Sequence, residues 1–218
     1  MVNHVTIIAS RLVQPLADLL AKLILLPEPS DPEAPRHGDE LGYSAAICLL
    51  TAVIVESFAM RARFLNSEDE ASRERAVHRF IANRYPDFEW TKEVAELFII
   101  RDLIAHNHLW RIESTSDRNV WTELLTKELD PLTEEAKDKK YSQYVDINIA
   151  RTRTLCLHVI PTQLDRSDVA KVLRVAKNTL SFMAAKEGAI LGVAASQALF
   201  RDRLLNLPDI LQEAIRAI

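Results

Sequence analysis

The stretch ELFIIRDLIAHNHLWRIE, residues 96–113, decides how the rest of the chain is read. Leu97, Phe98, Ile99, Ile100, Leu103 and Ile104 recur at three- and four-residue intervals, the pattern of a helix buried in a core. Arg101, Asp102, His106, Asn107 and His108 interrupt that pattern. A charge on a buried helix is costly unless it is paired or put to use. Each helical residue advances about 100° around the axis. Asp102 and His106 therefore share a face one turn apart. A carboxylate in that place orients an imidazole for proton transfer near neutral pH. Arg101 and His106 lie about 140° apart and flank a groove instead of clasping each other. Arg101 and His108 fall nearly in line if the helix continues that far.

Outward from this segment, helical periodicity dominates, and the expected fold class is all-α. A first helix is expected over 4–26, with Leu12, Leu16, Leu19, Leu20, Leu23 and Leu26 inward and Pro15 kinking it or marking its start. The Pro-rich acidic stretch 28–40 reads as an exposed linker. A second helix over 42–65 is apolar around most of its circumference and belongs at the centre. A third is expected over 68–84, with Ser67 and Glu70 as a capping box. Thr91 caps the fourth, which carries the opening motif. A short helix near 120–129 follows, then a β-branched extended segment near 145–160. An amphipathic helix begins at Ser167 or Asp168 and runs to about 186. The division is an N-terminal helix (1–27), the linker, a helical domain (41–186) and a helical extension (187–218) broken by Pro208, which packs on the domain or serves a partner.

Composition narrows the function classes. The chain has 218 residues, of which 48% are hydrophobic, enough to bury a sizeable core. Its net charge of −4 gives no global pull toward nucleic acid, so any polyanion site must be a local basic patch. The four glycines form no phosphate loop, which excludes P-loop and Rossmann nucleotide chemistry. Cys48 and Cys156 form no disulfide framework or zinc spacing, and a reducing cytoplasm is the expected home. The N-terminus lacks the pattern of a signal peptide. The apolar run around 45–60 is too short for a membrane span and reads as a core helix.

One copy of the motif offers a fixed cation, an acid/base and a carboxylate. Two copies around a two-fold axis would bring two arginines and two histidines to one cleft. That set suits cleavage of an RNA phosphodiester, in which the 2′-OH attacks its own phosphorus and neither metal nor bound water is required. One histidine takes the hydroxyl proton, its twin protonates the leaving 5′-oxygen, and the arginines stabilise charge on the phosphoryl oxygens.

The residues RDLIAH resemble the R-x4-6-H signature of HEPN domains, in which a polar residue favours the position after the arginine. The likeness extends to an apolar helix ending in Glu56 before the motif. After it come an extended segment, a proline and an amphipathic helix, so that residues 40–186 are covered. The resemblance implies a compact up-and-down helical bundle, a homodimer with a shared active site, and metal-independent endoribonuclease activity of the kind found in toxin–antitoxin, phage-defence and RNA-processing proteins. It assigns Arg101 and His106 to the catalytic positions and Asp102 to the polar one. Many relatives have asparagine at that polar position and glycine after the histidine; this chain has Asp102 and Asn107.

Asn107, His108 and Glu56 are candidates for substrate binding, with Glu56 meeting Arg101 or His106 across the helix pair. A metal reading of the two histidines flanking Asn107 fails on a continuous helix, where residues two apart diverge by about 200°. No metal or other cofactor is expected. The expected partners are RNA, a second copy and an antitoxin or regulatory protein. The competing readings are a surface salt bridge beside a helix-end histidine, and a non-catalytic module that binds RNA or nucleotide or holds a dimer together.

Overall fold

The computed structural model describes residues 8–28, 36–66, 73–106, 139–146, 148–188, 192–193 and 195–218. The expected cap at Ser67, the short helix near 120–129, and both Asn107 and His108 lie outside these residues.

The described chain is mostly helical. Its helices are α1 (Ala9–Leu25), α2 (Gly38–Leu65), α3 (Val77–Arg84), α4 (Thr91–His106), α5 (Lys139–Tyr144), α6 (Arg166–Glu187) and α7 (Leu207–Ala217). Two antiparallel strand pairs accompany them, β1 (Val145–Asp146) with β2 (Arg151–Thr152), and β3 (Gln197–Phe200) with β4 (Arg203–Asn206).

Four helices alternate in direction. The start of α1 meets the later part of α2, where the Ala9 N–H donates to Ser57 Oγ at 3.1 Å. The end of α1 meets the start of α6, where Arg166 Nη2 donates to the Leu26 carbonyl at 2.6 Å. Arg166 also pairs with Glu40 at the start of α2, at 3.5 Å. The far ends of α2 and α6 meet at Arg84, whose Nη2 donates to Asn66 Oδ1 at 2.9 Å and to Glu187 Oε1 at 3.1 Å. Trp90, which opens α4, stacks edge-on against Phe182 late in α6, so α4 runs opposite to α2 and α6. One continuous core joins all four helices, with Leu16, Leu20, Phe58, Leu97, Ile99, Leu173 and Leu180 in it. Burial of each such side chain favours the fold by about 1.5–3 kcal/mol.

α2 is long and apolar enough to cross a bilayer by length and composition, yet half of its most apolar window is buried by its neighbours. It packs on α1, α3, α4 and α6. Contact on several sides explains why its apolar residues cover most of its circumference.

Several expectations are corrected. Pro15 lies inside α1, which rules out the second of its two readings, the start of the helix. α2 begins at Gly38, so the linker ends earlier than 40: His37 caps the helix by accepting the Asp39 N–H at 3.2 Å, and Glu40 is buried against Arg166. α3 begins at Val77, after Glu74 Oε1 has accepted the Ala76 N–H at 2.9 Å. α6 is capped by Asp165, not Ser167 or Asp168; the Asp165 and Asp168 side chains bond each other's backbone N–H as a capping box. The extended segment near 145–160 is two strands of two residues and a bridge between Arg151 and His158.

The C-terminal extension is not helical throughout. β3 and β4 form a hairpin whose two loop residues, Arg201 and Asp202, both have positive φ (48° and 64°), as a tight twisted hairpin turn requires. Pro208 stands in the first turn of α7, where its missing N–H costs nothing, and does not break the helix. α7 packs against α6 and α1, and Gln14 on α1 bonds both the N–H and the carbonyl of Leu199 on β3, at 2.8 and 3.0 Å.

Candidate active site

α4 contains no glycine or proline, and Glu93 in its first turn and His106 in its last complement the helix dipole. Seven consecutive residues, Val94 to Ile100, are buried, so this helix is enclosed on all sides in its middle. Its first turn reaches solvent at Lys92, and its other end emerges from Arg101 onward, with Asp102 and Leu103 still buried. Ile104 is partly buried, and Ala105 and His106 are exposed.

At that point of emergence Arg101 is held between two carboxylates. Its Nη1 donates to Glu56 Oε2 on α2 at 2.5 Å. Its Nε and Nη2 donate to Asp102 Oδ1 at 3.0 and 2.8 Å. The guanidinium lies 5.1 Å over the Phe98 ring, which supports it from below. Burial works against the charge, but hydrogen bonds and attraction from Glu56 and Asp102 outweigh it and raise the Arg101 pKa above its ordinary value. Asp102 is nearly buried, with 12% of its side chain exposed, while Glu56 retains 34%.

The structure thus brings Glu56, Arg101 and Asp102 into one cluster, with His106 one turn beyond Asp102 on the exposed end of the same helix. The expected face shared by Asp102 and His106 is present. Asp102 has a further role that helical spacing does not show, because its Oδ1 takes two N–H groups of the neighbouring Arg101. Of the two partners considered for Glu56, the structure gives it Arg101. Three of the five guanidinium N–H donors are engaged, which leaves two open to an anion among the described residues.

Phe98 belongs to this site and was read from sequence only as core. Glu96, which the sequence analysis did not single out, is fully buried. Its two carboxylate oxygens accept the Thr154 and Leu155 N–H groups at 2.6 and 2.8 Å, tying the turn after β2 to α4. The sequence signal for Glu96 was a charge inside an apolar run, the signal that identified Arg101.

A third cluster was missed altogether. His158, Asp165 and Asp168 place ligand-type atoms within 4.8 Å of one another. By donor chemistry they match a small metal site. Their hydrogen bonds account for the cluster without an ion. Asp168 Oδ2 meets His158 Nδ1 at 2.7 Å and accepts the Asp165 N–H at 3.2 Å, while Asp165 Oδ1 accepts the Asp168 N–H at 3.1 Å. The cluster fastens the start of α6 to the bridge at His158. Cys48 and Cys156 are both free thiols, one buried and one exposed.

No protein-family model matches the chain, and no curated protein or solved structure matches it.

Proposed function

We propose that this protein is a HEPN-type endoribonuclease that cleaves RNA without a metal, through an active site shared by two copies. The observation that carries the reading is the fixed Arg101 guanidinium at the point where a core helix meets solvent, with an exposed imidazole one further turn along. Two carboxylates hold the guanidinium in place, and its remaining two N–H donors are the ones a phosphate would use.

In the proposed reaction, the 2′-OH of RNA forms a bond to the adjacent phosphorus as the bond to the 5′-oxygen breaks. His106 of one copy takes the hydroxyl proton. His106 of the other copy gives a proton to the departing oxygen. Arg101 donates to the phosphoryl oxygens as charge grows on them. The products are 2′,3′-cyclic phosphate and 5′-hydroxyl ends. Acid–base assistance of this kind is worth about 10²–10⁴ in rate. The protein works in the cytoplasm, and a toxin or phage-defence role, with an antitoxin or other regulatory protein to restrain it, fits an activity that destroys RNA.

A specific observation favours a second reading. Glu56 and Asp102 bring two negative charges to one Arg101, which opposes a phosphate. On that reading the helices form a non-catalytic module that binds RNA or nucleotide. The test is incubation of the purified protein with structured RNAs in EDTA. Cleavage to cyclic-phosphate ends, abolished in a folded His106→Ala variant, supports the nuclease. Full activity in that variant overturns it, and retarded but intact RNA supports the binding module.

A further inference from the structure

A groove of about 410 Å³ opens beside the Arg101 cluster and shares Glu56 with it. Its walls come from one face of α2 and from Ile8 at the start of α1. Met60 and Phe64 stand one and two turns beyond Glu56 on that face, and Val53, Ser57 and Arg61 complete the lining. Two of the walls are unusually open for large apolar side chains: Phe64 is 48% exposed and Ile8 is 64% exposed. The volume falls within the range of about 300–1,000 Å³ that accommodates a small molecule, and apolar walls with a few placed polar groups are the ordinary make-up of such a pocket.

Glu56 is the polar group that limits what the groove can take. Arg101 uses Glu56 Oε2, and Glu56 Oε1 accepts no hydrogen bond among the described residues. A carboxylate recognises a donor edge. Guanine presents adjacent N1–H and N2–H₂ donors on one edge and O6 and N7 acceptors on another, the acceptors that arginine reads most often. Adenine would turn an unprotonated N1 toward the carboxylate, and uracil lacks the exocyclic amine. An aromatic ring such as Phe64 offers a stacking surface for the base plane.

We infer that this groove holds a guanine base of the RNA, with the base stacked on Phe64 and its donor edge on Glu56. The inference rests on the proposed nuclease reading for its biological meaning, since Glu56 would then couple base recognition to the arginine that meets the phosphate. The cleavage site would lie beside a guanosine.

The experiment measures binding of 3′-GMP, 3′-AMP, 3′-CMP and 3′-UMP to the full chain by calorimetry, with wild type, Phe64→Ala and Phe64→Tyr. The same proteins are assayed in parallel on RNAs that differ only at one nucleotide. Wild type is expected to bind 3′-GMP at least about tenfold more tightly than the others, and Phe64→Ala to lose about tenfold while Phe64→Tyr retains binding. Selective 3′-GMP binding without any RNA cleavage supports the groove and overturns the nuclease. Cleavage with no preference for guanosine, unchanged in Phe64→Ala, overturns the groove and leaves the nuclease standing. Absence of selective 3′-GMP binding overturns the groove whatever the cleavage assay shows. So does a Phe64→Ala protein that turns from dimer to monomer in sedimentation, because the groove is then the contact between copies.

Discussion

Arg101 donates three N–H groups to two carboxylates, so the cluster of Glu56, Arg101 and Asp102 has a formal charge of −1. An incoming phosphate feels that charge along with the guanidinium. Two unit charges about 4 Å apart interact by about 1 kcal/mol where water screens them, and more where it does not. Asp102→Asn removes one negative charge and keeps an oxygen that can accept from Arg101. The expected outcome is a rise of about fivefold in kcat/KM for RNA at low ionic strength, shrinking as salt is added. An unchanged rate across a salt series would show that Asp102 does not repel the substrate.

At the scale of elements, the start of α6 is over-determined. Asp165 caps it, Asp168 closes the box, and His158 ties Asp168 to the preceding segment. Asp165→Ala is expected to cost about 1 kcal/mol in urea denaturation. Asp168→Ala should cost more, because Asp168 is fully buried and its loss leaves the Asp165 N–H and His158 without their acceptor. The neighbouring thiol gives a pH signature. Burial, reinforced by Asp168 and Asp165, raises the Cys48 pKa far above the ordinary thiol value. Above the unfolded thiol pKa of about 8.5, the folded chain keeps a proton that the unfolded chain has released. Stability therefore falls as pH rises past that point. Chemical denaturation at pH 7 to 10 should show this decline, and Cys48→Ala should flatten its first part. A wild-type curve that is flat to pH 10 would contradict the assignment.

For the whole molecule, the core is continuous from α1 to α7, with Leu20, Phe58, Ile99, Leu180, Phe200, Ile210 and Leu211 in one cluster. A single cooperative unfolding transition is expected for the chain, read as coincident circular dichroism and fluorescence midpoints. Truncation after Glu187 removes Phe200, Leu207, Ile210 and Leu211, all of them buried, and lays open the faces of α1 and α6 that they cover. The truncated chain is expected to aggregate or to lose several kcal/mol, on the order of 1.5–3 kcal/mol for each large side chain lost. Recovery of a fully stable truncated protein would show that the C-terminal segment is an appendage.

The sequence by itself determined the helical class, the core position of α2 and α4, and the choice of Arg101, Asp102 and His106 as the residues to examine. These follow from local causes: a 3.6-residue period, the scarcity of glycine, and charges set in an apolar run. The spacing also put Asp102 and His106 on one face, because a helix has only one geometry. Only the tertiary structure decided that Glu56 grips Arg101, that Phe98 lies beneath it, and that Glu96 and the pair His158–Asp168 fasten distant segments to α4 and α6. It also decided that the final segment is a hairpin before it is a helix, since two strands of four residues carry too little alternation to announce themselves. The ties made by Glu56, Glu96 and His158 join residues ten to 59 positions apart in the chain. Periodicity along one helix says which side is buried; the partner on that side is fixed by how the helices pack.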